Sequence, residues 1–271
     1  MKKKNYYKQV EDYYNEDAAD FDQRYWENPV LQIIRQDFRE EVKRHTFKNM
    51  LEIGYGTGLD LVHFAKTHPG VSVAGIDISS RMHDIAGNRI RQENLRNAYA
   101  VEGSVEDLEK LFPGEKFDMI YVFFGALNTV DDLECAARIL KNFSSPGGIL
   151  VLSFVNKYYL AGIFLELLKG RFFSAFSRLK PVWGGYSPTK FLPSRCYRPG
   201  EIRRFFSDFR LIKRKGYSIV HPAWYYRKLY NLMGRRISRF AWKADRLLNK
   251  TPLWRFGEYF LFVFQNPDNI D

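Results

Sequence analysis

The stretch Met50-Leu51-Glu52-Ile53-Gly54-Tyr55-Gly56-Thr57-Gly58 decides the fold of this 271-residue chain. Its apolar beginning predicts a short strand, and residues 59–67 predict the helix that follows. The glycines therefore fall in a strand-to-helix turn, where the backbone bends sharply and a ligand approaches without meeting a Cβ atom. A helix that begins near Gly58 points its free N–H groups at that ligand.

The spacing of the glycines distinguishes between ligands. The dinucleotide-binding pattern G-x-G-x-x-G would need a glycine at position 59, where this chain has Leu59. The next predicted strand, 71–76, is followed by Asp77. A carboxylate at that neighbouring strand tip can accept hydrogen bonds from the two hydroxyls of a ribose. It could instead cap the following helix, but Ser79 already predicts that N-cap.

Strands and helices alternate regularly on both sides of this turn. The predicted strands are 50–53, 71–76, 97–101, 117–124, 148–155, 209–217 and 256–265; the predicted helices are 6–26, 30–45, 59–67, 79–93, a short one to Leu111, 131–143, 199–207 and 224–249. Such alternation indicates βαβ crossovers and a parallel sheet. No regular alternation is predicted for about 45 residues after Val155.

Five segments of residues 49–155 resemble one protein family. They are LEIGYGTG at 51–58, GIDIS at 75–79, EGSVEDL at 102–108, FDMIYVFFGALN at 117–128 and PGGILVLSF at 146–154. The chain resembles the class I S-adenosylmethionine-dependent methyltransferases, which implies an α/β, Rossmann-like sheet of seven mostly parallel strands with helices on both faces. The resemblance implies one structural domain with three parts: an N-terminal helical lid (1–45), a cofactor-binding core (46–155), and substrate-side insertions with the last two strands (156–271).

The same resemblance implies a set of residues that bind S-adenosylmethionine and its product S-adenosylhomocysteine. The set comprises Glu52, Gly54, Tyr55, Gly56, Gly58, Asp77, Ile78, Met82, Gly103, Ser104, Val105, Phe123 and Phe124. In it Asp77 holds the ribose, Val105 offers its backbone N–H to the adenine, and the segment Phe123–Ala126 faces the sulfonium. Ser104 stands where the family usually has an Asp, and its hydroxyl provides only an uncharged acceptor. Met82 could equally be a core methionine, and Glu52 a strand-end carboxylate near the helix dipole.

Methyl transfer from a sulfonium is an in-line displacement that needs alignment, a dry site and, for some acceptors, a base. No metal-ligand spacing occurs among the five His and two Cys, so we predict no metal. The segment Phe124–Asn128 lacks the proline-containing motif typical of enzymes that methylate exocyclic amines of nucleic acid bases. It is similar to small-molecule and lipid-precursor methyltransferases. His221 is a candidate general base because imidazole titrates near neutrality.

Charge and aromatic content divide the chain in two. Residues 1–154 carry 19 Lys and Arg against 24 Asp and Glu, a net charge of −5. Residues 155–271 carry 23 against 7, a net charge of +16, and hold 26 of the 45 aromatic residues. We interpret this part as an apolar pocket with a basic rim for a lipophilic or anionic acceptor, or for an anionic membrane surface. A solvated helix face with ordinary core aromatics is the alternative.

The predicted substrate-binding residues come from the N-terminal lid and this basic part. They are Tyr14, Tyr25, Trp183, Tyr186 and Trp224. A basic aromatic surface also suits RNA, so an RNA methyltransferase is the second hypothesis and a non-catalytic cofactor-binding regulator the third. The two cysteines suit a reducing compartment, and no apolar run approaches the roughly 20 residues that span a bilayer. We therefore expect a cytoplasmic protein, with peripheral contact to a membrane left open.

Overall fold

Seven strands form one mixed sheet in the computed structural model, which describes residues 3–187 and 189–267. The strands are β1 (Asn49–Ile53), β2 (Ser72–Asp77), β3 (Ala98–Glu102), β4 (Phe117–Val122), β5 (Ser144–Val155), β6 (Arg210–Tyr217) and β7 (Tyr259–Gln265). Their order across the sheet is β3-β2-β1-β4-β5-β7-β6. Strands β1 to β5 run parallel, whereas β7 lies antiparallel between β5 and β6. The predicted Rossmann-like sheet is thus confirmed.

Helices cover both faces of the sheet. They are α1 (Lys3–Asp17), α2 (Phe21–Trp26), α3 (Pro29–Val42), α4 (Leu59–Thr67), α5 (Ser80–Gln92), α6 (Leu108–Leu111), α7 (Leu133–Phe143), α8 (Leu160–Leu168), α9 (Phe172–Ala175), α10 (Pro199–Phe205) and α11 (Arg227–Leu248). One apolar core joins the sheet to α7 and α10 through Leu140 and Ile202. A second core joins the opposite face to α3 and α4 through Phe38 and Leu61. Two such cores explain why the central strands are apolar on both faces.

The main departures from the predicted elements are found where the chain turns sharply. Strand β4 ends at Val122 rather than Phe124, because Phe124 and Gly125 adopt positive φ angles of 52° and 77°. The segment after Val155, for which no regular structure was predicted, contains α8 and α9. The long basic helix α11 is kinked at Gly234, where φ is 65° and ψ is 172°.

The N-terminal helices lie over the carboxyl ends of the parallel strands. In α1, the Tyr6 hydroxyl donates to the carbonyl of Pro193 (2.9 Å) and the Tyr7 hydroxyl to Glu106 (2.8 Å). In α2, Asp22 accepts a 2.5 Å hydrogen bond from the Thr57 hydroxyl in the glycine turn. These contacts place residues 3–26 across the edge of the sheet where ligands bind in folds of this kind.

Among the described residues there is neither a membrane-spanning helix nor a metal-binding cluster. None of the helices there is both long and apolar enough to cross a membrane. Within the same residues, no group of three or more His, Cys, Asp or Glu side chains is arranged to hold a metal ion.

Candidate functional site

The glycine turn between β1 and α4 has the conformation that its sequence predicts. Gly54, Gly56 and Gly58 have φ angles of 75°, 56° and 77°, in the left-handed region that side chains disfavour. A Cβ atom on Gly54 would lie only 2.5 Å from the Cβ of Ala126 in the next loop. Gly58 is the N-cap of α4, so the free N–H groups of that helix begin in the turn.

Asp77 ties this turn to the next one. One carboxylate oxygen accepts the N–H of Gly56 (2.8 Å), and the other accepts the N–H of Ser79 (2.9 Å). Burial raises the pKa of Asp77 to about 6, although these backbone donors oppose the shift. At neutral pH the side chain is therefore a buried carboxylate at the tip of β2, poised between two loops.

A narrow cavity of about 60 Å³ adjoins Asp77. Its lining comprises Tyr7, Val10, Ile53, Gly54, Ile76, Asp77, Ile78, Gly103, Ser104, Val105, Ala126, Thr129 and Val130. Six residues of the predicted cofactor set meet here: Gly54, Asp77, Ile78, Gly103, Ser104 and Val105. The hydroxyl of Ser104 donates to Asp107 (2.6 Å), which fixes the side chain at the start of the turn 105–107. Most of the wall is apolar, with polar groups at one end.

A second, larger cavity of about 470 Å³ lies beside the first, and Thr129 lines both. Its lining includes nine aromatic residues: Tyr13, Tyr14, Phe21, Tyr25, Phe124, Trp183, Tyr186, Trp224 and Tyr259. All five predicted substrate-binding residues are among them. The volume falls within the range typical of sites for small molecules.

A buried arginine is one of the charged residues that line this cavity, together with Glu16, Asp17, Asp20, Arg24 and Lys190. Arg35 in α3 is only 6% exposed, and its guanidinium carbon lies 4.3 Å from the ring centre of Tyr25 and 5.0 Å from that of Phe124. It forms an ion pair with Asp60 at 3.5 Å, while its Nε has no hydrogen-bond partner. A buried donor without a partner is costly. Arg35 was not identified from the sequence, where its only signal is a charge beside Ile34 on an apolar helix face.

A hydrogen-bonded network holds the far wall of the large cavity. Glu258, fully buried at the start of β7, accepts the hydroxyl of Tyr186 (2.8 Å) and the guanidinium of Arg178 (3.3 Å). The Tyr186 hydroxyl also lies 3.0 Å from that of Tyr259. Burial raises the pKa of Glu258 to about 6. The network fixes the positions of the Tyr186 and Tyr259 rings. Glu258 was not identified from the sequence.

Several residues of the predicted cofactor set line neither cavity. They are Glu52, Tyr55, Gly56, Gly58, Met82 and Phe123. Glu52 lies beneath the glycine turn, where it accepts the Tyr121 hydroxyl at 2.9 Å, and its pKa is raised by burial and by the nearby Asp60. Met82 is buried in the first turn of α5, and Phe123 packs in the core against Phe38. Gly56 and Gly58 shape the turn without lining either cavity, whereas Gly54 lines the narrow one.

His221 also lies outside both cavities. It is fully buried, with Nε2 3.0 Å from the Ser238 hydroxyl and Nδ1 3.0 Å from the carbonyl of Pro222. Its ring packs edge-on against Trp242, and burial lowers its pKa. These contacts attach the loop after β6 to α11. These contacts favour a packing role for His221, and the general-base role suggested from the sequence stays a prediction.

Comparisons with known proteins agree with this geometry. Residues 50–148 match the family model described as "Methyltransferase domain". An uncharacterized protein of Methanocaldococcus jannaschii is 27% identical over 96% of this chain and 92% of its own length. The demethylmenaquinone methyltransferase of Tropheryma whipplei is 37% identical, over 39% of this chain and only 41% of its own length. Among solved structures, the N-methyltransferase NodS of Bradyrhizobium japonicum, in complex with S-adenosylhomocysteine, has a TM-score of 0.58 at 15% identity and covers 96% of this chain and 100% of its own.

Proposed function

We propose that this chain, which belongs to the class I S-adenosylmethionine-dependent methyltransferases, methylates a small acceptor that is lipophilic or anionic. The family uses S-adenosylmethionine as its methyl donor. The observation that carries the proposal is the aromatic cavity of about 470 Å³ beside the narrow cavity at Asp77, with one buried guanidinium in its wall.

The residues at the narrow cavity fit S-adenosylmethionine. The glycine turn leaves no space for a side chain at Gly54, and a buried carboxylate stands at the tip of β2 where a ribose would offer two hydroxyls. The apolar residues Ile78 and Val105 would contact the adenine. When bound, the cofactor supplies the electrophilic methyl group. The protein's own contribution is to hold it, align it and exclude water.

The large cavity supports an acceptor that combines an apolar body with a negative charge. Aromatic rings such as Trp183 and Tyr186 provide flat apolar surface, while Arg35 provides a buried guanidinium in the lining. Arg35 would stabilise an ionised oxygen or carboxylate of the acceptor and orient it. The demethylmenaquinone methyltransferase from Tropheryma whipplei, by its name, acts on a lipophilic compound, which favours the lipophilic part of the proposal.

Proton removal then depends on the acceptor rather than on a histidine. The lining of the large cavity contains no histidine among the described residues. Burial raises the pKa of Tyr14 above its ordinary value, so its hydroxyl stays protonated at neutral pH and does not supply a phenolate base. An acceptor acidic enough to ionise beside Arg35 would need no protein base.

The proposal is tested by binding and by transfer. Calorimetric titration with S-adenosylmethionine and S-adenosylhomocysteine examines the cofactor site, and transfer of a labelled methyl group to lipophilic acids and phenols examines the acceptor site. Arg35→Gln should leave S-adenosylhomocysteine binding within about threefold but lower kcat/KM for anionic acceptors roughly 10- to 100-fold, the value of a hydrogen bond to a charged group. Arg39→Gln is the matched control, because Arg39 also pairs with Asp60 (2.6 Å) but does not line the cavity.

Three results would contradict the proposal. Failure to bind either sulfur ligand refutes the cofactor assignment. Equal losses in Arg35→Gln and Arg39→Gln refute the acceptor role of Arg35. Tight cofactor binding without turnover on any acceptor favours the third hypothesis, a non-catalytic regulator.

RNA is the second candidate acceptor, and a separate groove favours it. Five arginines, Arg198, Arg203, Arg204, Arg214 and Arg255, line a groove of about 430 Å³ with Tyr158 and Trp254. The guanidinium carbon of Arg214 lies 5.0 Å from the Trp254 ring centre. Such a groove can contact a phosphate backbone. Binding of RNA that weakens steeply with added salt, and methylation of that RNA, would favour this candidate over a small acceptor.

A further inference from the structure

The segment 160–176, here called the apolar hairpin, presents large apolar side chains to solvent. Helices α8 and α9 form it, and its exposed members are Leu160, Phe164, Leu168, Phe172, Phe173 and Phe176. Leu160, Phe164 and Leu168 recur every four residues, so they share one face of α8. Phe173 is 89% exposed and Leu168 68%. The aromatic residues after Val155 were predicted to form a pocket. Trp183 and Tyr186 do line the large cavity, but none of the phenylalanines of the apolar hairpin does.

The charge around the apolar hairpin is almost entirely positive. Residues 156–198 contain eight Lys and Arg and a single acid, Glu166. That acid is already paired with Lys169 at 2.8 Å. Arg171 and Lys180 are exposed at the two ends of the outward-facing phenylalanines. Exposed phenylalanine and leucine with a basic border form the surface by which proteins enter the interface of an anionic bilayer.

The apolar hairpin contacts the segment that follows the cavity residue Trp224. Glu166 in α8 accepts the hydroxyl of Tyr226 (3.2 Å), and Lys169 lies 4.5 Å from the centre of the same ring. Tyr226 stands two residues after Trp224, which lines the cavity. A surface that binds the apolar hairpin therefore comes close to the acceptor cavity.

We propose that the apolar hairpin docks on a bilayer that contains anionic phospholipid. The charge favours this occupant over a second copy of the chain, because two copies of this basic face repel each other. Leucines and phenylalanines insert among acyl chains, while Arg171 and Lys180 contact phosphate groups. The inference rests on the proposed function in one respect: a lipophilic acceptor would then reach the cavity from the bilayer.

The test is flotation of the full chain with vesicles of phosphatidylcholine alone and with added phosphatidylglycerol. We expect flotation with the mixed vesicles, reduced by salt. The double variant Phe172→Ser/Phe173→Ser should lose at least about tenfold in partitioning, because burial of a phenylalanine is worth about that or more. Arg171→Glu/Lys180→Glu should lose binding to the mixed vesicles selectively. Tyr99→Ser removes an exposed aromatic side chain from the edge strand β3 and should change nothing.

The proposal is overturned if the wild-type chain ignores anionic vesicles, or if the double serine variant floats as well as the wild type. It is also overturned if light scattering shows that the wild type is an oligomer and the double serine variant a monomer. In that case a second copy of the chain covers the apolar hairpin. Titration of the same variant with S-adenosylhomocysteine separates the two proposals. If the double variant loses flotation but binds S-adenosylhomocysteine normally, the apolar hairpin acts in membrane binding alone. If neither the wild type nor any variant binds the cofactor product, the proposed function fails independently of the membrane result.

Discussion

Replacement of Asp77 by Asn gives the sharpest test of the cofactor site. The wild-type carboxylate accepts backbone N–H groups from Gly56 and Ser79, and in the complex it would also accept the ribose hydroxyls. An Asn side chain keeps one acceptor oxygen and turns a donor towards the other N–H. Hydrogen bonds to a charged group are worth about 1.5–3 kcal/mol each, so loss of one raises the Kd for S-adenosylhomocysteine roughly 10- to 100-fold.

The assay is calorimetric titration with S-adenosylhomocysteine, with urea unfolding of the free proteins alongside. Asp84→Asn is the control, since it removes a similar charge from an exposed site on α5, the helix that follows Asp77. A Kd for Asp77→Asn within about threefold of the wild type, or an equal loss in the Asp84 variant, would refute the ribose assignment.

The pKa of Asp77 adds a pH signature to this prediction. Because folding raises that pKa from 3.8 to about 6, protonation of Asp77 stabilises the folded chain. This contribution is complete below about pH 4 and is lost as the pH rises through 6. The ribose needs the ionised form, so cofactor binding should weaken as the pH falls below 6. The pH dependence of stability and that of cofactor binding should both disappear in Asp77→Asn. If the variant keeps them, a group other than Asp77 causes them.

Three further substitutions probe the rest of the site. Asp22→Ala removes the acceptor of the Thr57 hydroxyl, so hydrogen exchange of residues 3–26 should speed up and S-adenosylhomocysteine should bind about tenfold more weakly. Glu258→Gln leaves Arg178 buried without a counter-charge, which should lower the free energy of unfolding by about 3–5 kcal/mol in urea titrations. His221→Phe should reduce thermal stability but leave kcat per folded molecule unchanged, as measured by methyl transfer.

Each of these variants has a control or a contrary result. Asp20→Ala removes a neighbouring acid whose side chain caps nothing, and should leave hydrogen exchange as it is. Glu201→Gln changes a partly exposed partner of Arg198 and should cost far less than Glu258→Gln. A His221 variant that stays folded yet loses its chemistry would restore the general-base hypothesis.

The sequence predicts those parts of the site that depend on local backbone geometry. The glycine turn requires left-handed residues, so Gly54, Gly56 and Gly58 identify it directly. Strand ends in a parallel sheet meet at one edge, which brings Asp77 to the same place. Phe123 and Phe124 show the limit of this reasoning. The positive φ angle at Phe124 turns its ring into the large cavity and leaves Phe123 in the core. Strand propensity does not predict which of the two rings faces the cavity.

Long-range burial of charge is what the sequence did not reveal. Arg35 and Glu258 are charged residues on buried elements, where periodicity arguments consider only apolar positions. Their partners Asp60 and Arg178 lie 25 and 80 residues away, so only the folded chain brings them together. The same holds for the direction of Phe173, since composition counts aromatic rings without saying whether they face a pocket or solvent.

Helix α1 is a wall that the two cavities share. Tyr7 and Val10 line the narrow cavity, and one to two turns further on Tyr13 and Tyr14 line the large one. A ligand that fixes this helix from one side pre-arranges it for a ligand on the other, so the two binding free energies are linked and the linkage is reciprocal. Cofactor and acceptor should therefore each tighten the binding of the other by the same factor.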